Sequence, residues 1–588
     1  MTITDPVAAA RGRAPLDLLI SGARLVNVYT QEIYPAEIGI AGGVIVAVEP
    51  PGAGPRWQAR QVIEARGKFA LPGLVDTHVH IESSMMTPAG FAEAVLPLGT
   101  TTIVTDPHEI GNVLGLRGVR YMLEATRHLP LRVYFQAPSS VPSVPGVETA
   151  GAEFLGAEIA ELLSWERVIG VAEVMDYVGV IEQSERMRQV LGAARAANTV
   201  ISGHCPALTG RDLAAYLVAG PDSDHEGRQP AELLEKLRQG MYVEGRVSSF
   251  SESMSVLGEV CARLGSVPPN LVLCTDDIYP DDLLRCGHMD EVVRKGIAAG
   301  LPPLGVLRAA SWSGAQRHRL HQLGAVAPGK WADIVLAADL QNFRADEVIC
   351  RGQLVAAGGQ MLAPLPGGDA VLEAENTVHL ARLPSAQDFR LAARPGREQE
   401  RVAVLAVGTG LRRSLEERTF PVKDGALDLS ADEDICLLSV LERHGHGGRQ
   451  SIVPVRGLGL RHGAAATTVS HDCHNLLVIG RDPADMALAA RSLAECGGGI
   501  CSVAGGAVQA LLPLPVAGLM SPARAPELAG QLAALNQALS GQGVLQQRPL
   551  TGLLSLALPV IPDYGVTDYG LVEVSTQALV PLFRYFSV

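Results

Sequence analysis

The chain has 588 residues, 47% of them hydrophobic, which is too long for one core and apolar enough to pack several. A formal charge of -14 and a pI near 5.6 exclude a basic face for nucleic acid, and no lysine or arginine run suits a membrane surface. The 9 cysteines, without CxxC spacing, exclude a disulfide framework or zinc ribbon and fit reduced thiols in a cytoplasm. No stretch reaches the roughly 20 apolar residues of a membrane helix. The opening "MTITDPVAAARGRAPLDLL" has neither the basic flank nor the apolar run of a secretory signal. The expected partner is a small molecule, with neither nucleic acid nor membrane; the expected assembly is a dimer or larger homo-oligomer.

Residues 1–14 read as a flexible lead. Residues 15–72 read as short strands punctuated by glycine and proline, in "LDLLISGARLVNV", "EIGIAGGVIVAVEP" and "RQVIEARGKFALPG". From residue 73 to 324 a unit recurs in which a short apolar strand ends in polar residues and a helical segment follows. The strands are "LVDTHVH", "TTIVTDPHE", "LRVYFQA", "VIGVAEVMD", "TVISGHC", the weak "GPDSDHE", "GMYVEGR" and "LVLCTDD". Eight strands alternating with helices predict an α/β chain built on a (β/α)₈ TIM barrel, with its active site at the carboxyl ends of the strands. Strand and turn texture returns over 325–375, so these residues and 15–72 are expected to form one composite β domain. Residues 380–588 are expected to form a separate C-terminal α/β domain.

The string "LPGLVDTHVHIESSM" places His78 and His80 one residue apart at the end of the first strand. Residues two apart in a strand share a face, so both imidazoles point into the barrel mouth, where they suit a divalent metal. The other strand ends add Glu173, His204, His225 and Asp276, each a ligand type. Such a set exceeds the needs of one tetrahedral ion and fits two ions about 3.5 to 4 Å apart, bridged by Glu173 and a hydroxide. Asp276 is then also the proton acceptor. Alternation lets only one of Asp276 and Asp277 face inward, so Asp277 is assigned to a helix cap.

The strings "HVHIESSMMTP", "GTTTIVTDPHEIGNVLG", "AEVMD", "GHCPALTG", "SDHE" and "CTDDIYPDDL" resemble the bacterial adenine deaminases of the amidohydrolase superfamily, as do "VSHDCHNLLVIG" and "LALPVIPDYGVTDYGLVEV" nearer the C-terminus. The resemblance spans nearly the whole chain. It implies hydrolytic deamination of adenine in purine salvage, with manganese or iron, or zinc, as the binuclear metal. It departs from the family pattern at Val247, Ser248 and Ser249 after Arg246, at Ile278 and Tyr279, and at Cys473.

Deamination of a purine needs attack at the ring carbon and protonation of the ring nitrogen and the leaving amine. Glu82, His108 and Glu109, from the loops after strands one and two, are the expected acids. Ser83, Ser84, Glu109 and Arg246 are the expected substrate-binding residues. His471 and His474 suit a further ligand site, a lid or interface packing. His128, His318 and His462 read as surface or core residues without a role. Many binuclear relatives bridge their metals through a carboxylated lysine, but no lysine lies between Lys68 and Lys236, which leaves Glu173 as the bridge. A hydrolase of a cyclic amide or modified adenine is the alternative within the superfamily, and a non-catalytic scaffold the alternative outside it.

Overall fold

The computed structural model describes residues 5–52, 57–365, 375–408, 412–545, 549–560 and 563–583. At its centre is a closed ring of strands: β1 (Leu74–Val79), β2 (Thr100–Thr105), β3 (Arg132–Ala137), β4 (Val168–Val174), β5 (Val200–Gly203), β6 (Ser223–Asp224), β7 (Tyr242–Arg246) and β8 (Leu271–Cys274). β1 to β5 form one parallel ladder and β6 to β8 another. Two seams close the ring. Asp222 N donates to Ile201 O at 3.0 Å between β5 and β6, and Asp276 N donates to His78 O at 2.9 Å between β8 and β1. Every residue of β1 and β2 is buried, as expected for parallel strands covered on both faces. The eight strands match the sequence expectation in order, and the weakest reading, at β6, is the shortest strand.

The two flanks of the barrel meet in one nine-stranded sheet. Phe69–Pro72 pairs antiparallel with Ile334–Ala337, Leu71 opposite Val335. Gly73 then carries the chain directly into β1. A Cβ at Gly73 would lie 2.0 Å from Thr101 Oγ1, so the strand joint passes too close to β2 for any side chain.

A second nine-stranded sheet occupies the C-terminal third. Alternation divides its residues between two cores. Ala464, Ala466, Leu476 and Val478 pack with Met486, Ala490 and Leu493 of helix Pro483–Cys496. Ala465, Leu477, Ile479 and Ile500 belong to the cluster that fills the barrel and its helices. Helix Ala525–Gly541 adds Leu528, Leu532, Leu535 and Leu539, spaced along one stripe, to that same cluster. The C-terminal part therefore shares a core with the barrel. No helix among the described residues is long and apolar enough to cross a membrane.

Candidate metal centre and active site

The carboxyl ends of the strands bring His78, His80, Glu173, His204, His225 and Asp276 into one buried cluster. His78 Nε2 lies 3.5 Å from Asp276 Oδ1, and His80 Nε2 lies 3.3 Å from the same oxygen. Glu173 stands between the two halves. Its Oε1 is 3.4 Å from His80 Nε2, and its Oε2 is 2.8 Å from His204 Nδ1 and 3.3 Å from His225 Nε2. His204 Nδ1 and His225 Nε2 face each other at 3.2 Å, an approach that needs a proton or a cation between them.

The donor set fits a metal. His78 Nε2 and His204 Nε2 are buried without a hydrogen-bond partner, and buried polar atoms are normally satisfied. His80 Nδ1 is 3.0 Å from Asp106 O, which makes Nδ1 the donor and leaves the Nε2 lone pair free to ligate. Burial alone would strip the imidazoles of charge, yet Glu173 and Asp276 hold His225 up at about 9 and His80 well above its usual range. Against the same burial, His204, His225 and His80 hold the Glu173 carboxyl well below the usual carboxylate range. The cluster is a field that stabilises positive charge.

Around it lies a cavity that opens to solvent. Met175, Phe250, Leu558 and Val560 supply apolar walls, and Glu226, Asp277, His471 and Asp472 supply polar ones. A flat heteroaromatic ring suits such a lining. His108 Nδ1 is 3.1 Å from Asp106 Oδ2, and its Nε2 lies 3.8 Å from Asp472 Oδ1.

Comparison with known proteins gives a family. Residues 69–355 match the amidohydrolase family, and residues 411–578 match the adenine deaminase C-terminal domain. The chain is 42% identical over 581 residues to "Adenine deaminase 2" of Rhizobium meliloti, covering 97% of this chain and 95% of that one. It is 40% identical to "Adenine deaminase" of Moorella thermoacetica, covering 98% and 97%. The chain belongs to the adenine deaminase family. Among solved structures it is similar to a beta-aspartyl dipeptidase of Fervidobacterium islandicum AW-1 at 16% identity and a TM-score of 0.45, over 60% of this chain and 99% of that one.

Several expected roles fall differently on this adenine deaminase fold. Asp277 caps no helix: the helix that follows begins at Pro280, with Tyr279 as its cap residue, and Asp277 lines the cavity. Asp276 has φ 59°, a left-handed turn that breaks strand alternation and lets both acids face the mouth. Ser83 Oγ lies 2.7 Å from Glu109 Oε1 and 2.5 Å from Asp277 Oδ1. The Ser83 hydroxyl therefore sits between the two carboxyls and faces both. Burial, then Asp276, pushes Asp277 up. Ser84 turns away from the cavity and donates to Ile81 O at 2.5 Å. Arg246 lines the cavity, but its guanidinium is engaged by Glu226, by Asp276 Oδ2 at 2.5 Å and by Ser251 Oγ at 2.7 Å. Both of its terminal nitrogens are thus engaged by neighbouring side chains. Glu82 is buried behind Glu109, accepts from Ile110 N at 3.3 Å, and is pushed up to about 8 by burial and then by Glu109.

The family departures also resolve in space. Val247 and Ile278 line a neighbouring cleft with Arg285 and Lys295, and Tyr279 packs on Phe250, so none of the three forms the metal cavity wall. Cys473 is buried, its Sγ 3.9 Å from Asn112 Oδ1. Glu109, His471 and His474 are close enough to hold an ion. Ser470 N, however, donates to His474 Nδ1 at 3.2 Å, which fixes the hydrogen on Nε2 and removes the lone pair that a ligand needs. His471 instead faces Glu109, its Nδ1 3.6 Å from Oε1. Of the residues not foreseen, Asp106 and Glu226 sit inside strings already singled out for His108 and His225. Asp472 had only the flanking histidines as a signal.

Proposed function

We infer that the chain hydrolyses adenine to hypoxanthine and ammonia in purine salvage in the cytoplasm, with two divalent ions of manganese or iron, zinc being the other candidate. The observation that carries this reading is Glu173, whose two oxygens face different histidine pairs in a chain 42% identical to a named adenine deaminase. His78, His80 and Asp276 would hold one ion, His204 and His225 the other, with Glu173 between them. When bound, the ions supply the Lewis-acid charge that brings a water from a pKa of about 15.7 toward neutrality.

The reaction adds the water oxygen to C6, breaks the C6–N bond and releases ammonia. Of the two water protons, one ends on ring N1 and the other on the departing nitrogen. Asp276, kept anionic by Arg246, takes the proton that the water gives up and passes it to the amine. The Ser83, Glu109 and Asp277 group, in which burial and then Asp276 push Asp277 up toward its protonated form, serves N1. Its position beside Asp276 places the two proton tasks on adjacent residues. His108, braced by Asp106 and Asp472, binds the purine edge. Phe250, Leu558 and Val560 exclude bulk water from the ring faces.

The test is metal analysis together with ammonia release from a panel of purines and cyclic amides, with and without bicarbonate. The expected result is two ions per chain, ammonia from adenine, and no bicarbonate effect. The last follows because a glutamate needs no carbon dioxide to become an anion. Hydrolysis of a cyclic amide with no ammonia from adenine would establish the rival hydrolase, and neither metal nor turnover would leave only the scaffold.

A further inference from the structure

The loops that carry His204 and His225 are joined beneath the metal centre by one lysine. Lys236, in helix Pro230–Arg238, is fully buried. Its Nζ donates to Cys205 O at 2.8 Å, to Asp224 Oδ2 at 2.9 Å and to Glu232 Oε1 at 2.6 Å. Asp224 closes the group from the other side, accepting from Cys205 N at 2.8 Å and from Gly227 N at 2.9 Å. Cys205 follows His204 and Asp224 precedes His225, so the ion pair fixes the backbone next to each imidazole. The group also uses every donor of the ammonium, which leaves Lys236 no freedom to reach the metals itself.

The other half of the centre has different supports. His80 is oriented by Asp106 O, and Asp276 by Arg246. None of these touches Lys236. The two halves meet at Glu173, at the stacked rings of His78 and His225, and at Arg246, which pairs with Glu226 as well as Asp276. Glu173 is itself tied to the His204 side through Tyr216: the Tyr216 hydroxyl donates to Val174 O at 2.8 Å and accepts from His204 N at 3.1 Å.

We propose that Lys236 is a positioning residue for the His204–His225 half of the metal centre, so that the Lys236–Asp224 pair sets the affinity for the second ion and leaves the first unchanged. This rests on the binuclear reading above. Burying an ion pair is costly unless its hydrogen bonds are complete, and here they are complete only while both loops hold the geometry that aims the two imidazoles. Loss of such an outer partner costs metal sites about 10- to 100-fold in affinity.

The test is a stepwise manganese titration of metal-free full-length protein by calorimetry, with circular dichroism to monitor folding. Lys236→Gln is compared with Lys236→Gln/Asp224→Asn, which removes both charges and leaves no uncompensated ion to unfold the loops. Wild type binding two ions with separable affinities supports the binuclear reading; a single ion overturns that reading, and with it any second affinity for Lys236 to set. The proposal expects the second dissociation constant to rise about 10-fold or more in both variants, the first staying within about twofold. Two unchanged constants, or an equal loss of both in the folded double variant, would overturn it.

Discussion

His78 and His80 turn their Nε2 atoms toward Asp276 and Glu173. His78 Nε2 has no hydrogen-bond partner, so its removal breaks no network of the barrel. His78→Ala and His80→Ala should therefore fold, yet bind metal more weakly than the ~10- to 100-fold loss typical of outer-shell changes, and lose activity with it. Metal content equal to wild type in either variant would remove them from the ligand set. Asp276→Asn keeps the shape of the group but cannot take a proton, so kcat should fall by about 100-fold or more with circular dichroism unchanged. His318 gives a test by pH. It is fully buried, accepts from Arg317 Nη1 at 2.9 Å, and burial, then Arg317, pushes it down to about 3. The unfolded chain takes up this proton near pH 6.5 and the native one only near 3. The stability it contributes is thus complete above 6.5 and is lost as pH falls, by about 1.4 kcal/mol per unit. The urea midpoint of His318→Gln should decline less steeply than wild type between pH 6.5 and 4; parallel curves would contradict this.

The strand is the element that organises the site. Each barrel strand is short and largely buried, and His78, His80, Glu173, His204, His225 and Asp276 lie at or just past the carboxyl ends, beside the cavity. The joint at Gly73 sets how β1 leaves the composite sheet. Thr101 is β-branched and has little freedom to move aside, so Gly73→Ala should cost about 1–3 kcal/mol by overpacking. Differential scanning calorimetry would show this as a lowered Tm, with partial recovery when Thr101→Ala is added. No recovery would mean that the strain lies elsewhere.

At the scale of the molecule, the C-terminal sheet and the barrel are one packed unit. Ala465, Leu477, Ile479 and Ile500 face the barrel's own cluster, and His471 and Asp472 reach its mouth. Asn475 Nδ2 donates to Thr149 O at 2.8 Å, which ties residues 468–475 of the C-terminal part to the loop after β3. A chain ending at residue 379 should expose an apolar face and lack two walls of the cavity. Its expected fate is aggregation on expression, read by size-exclusion chromatography; a soluble fragment with full turnover would refute the shared core.

Order along the chain determined much of this protein. Period-two alternation and the polar residue at each strand end were enough to draw eight strands and to collect His78, His80, Glu173, His204, His225 and Asp276, because both signals are local. The missing lysine between Lys68 and Lys236 likewise made Glu173 the bridging candidate without any structure. Asp277 escaped that reasoning because a single left-handed residue, Asp276, cancels the alternation on which it relied. For Arg246, read as a substrate ligand, a sequence does not reveal that Glu226, Asp276 and Ser251 engage its two terminal nitrogens. His471 and Asp472 meet Glu109 and His108 across more than 360 residues of chain. Contacts at that separation leave no periodic trace, so only the packing of one sheet face against the barrel decides which histidines reach the cavity.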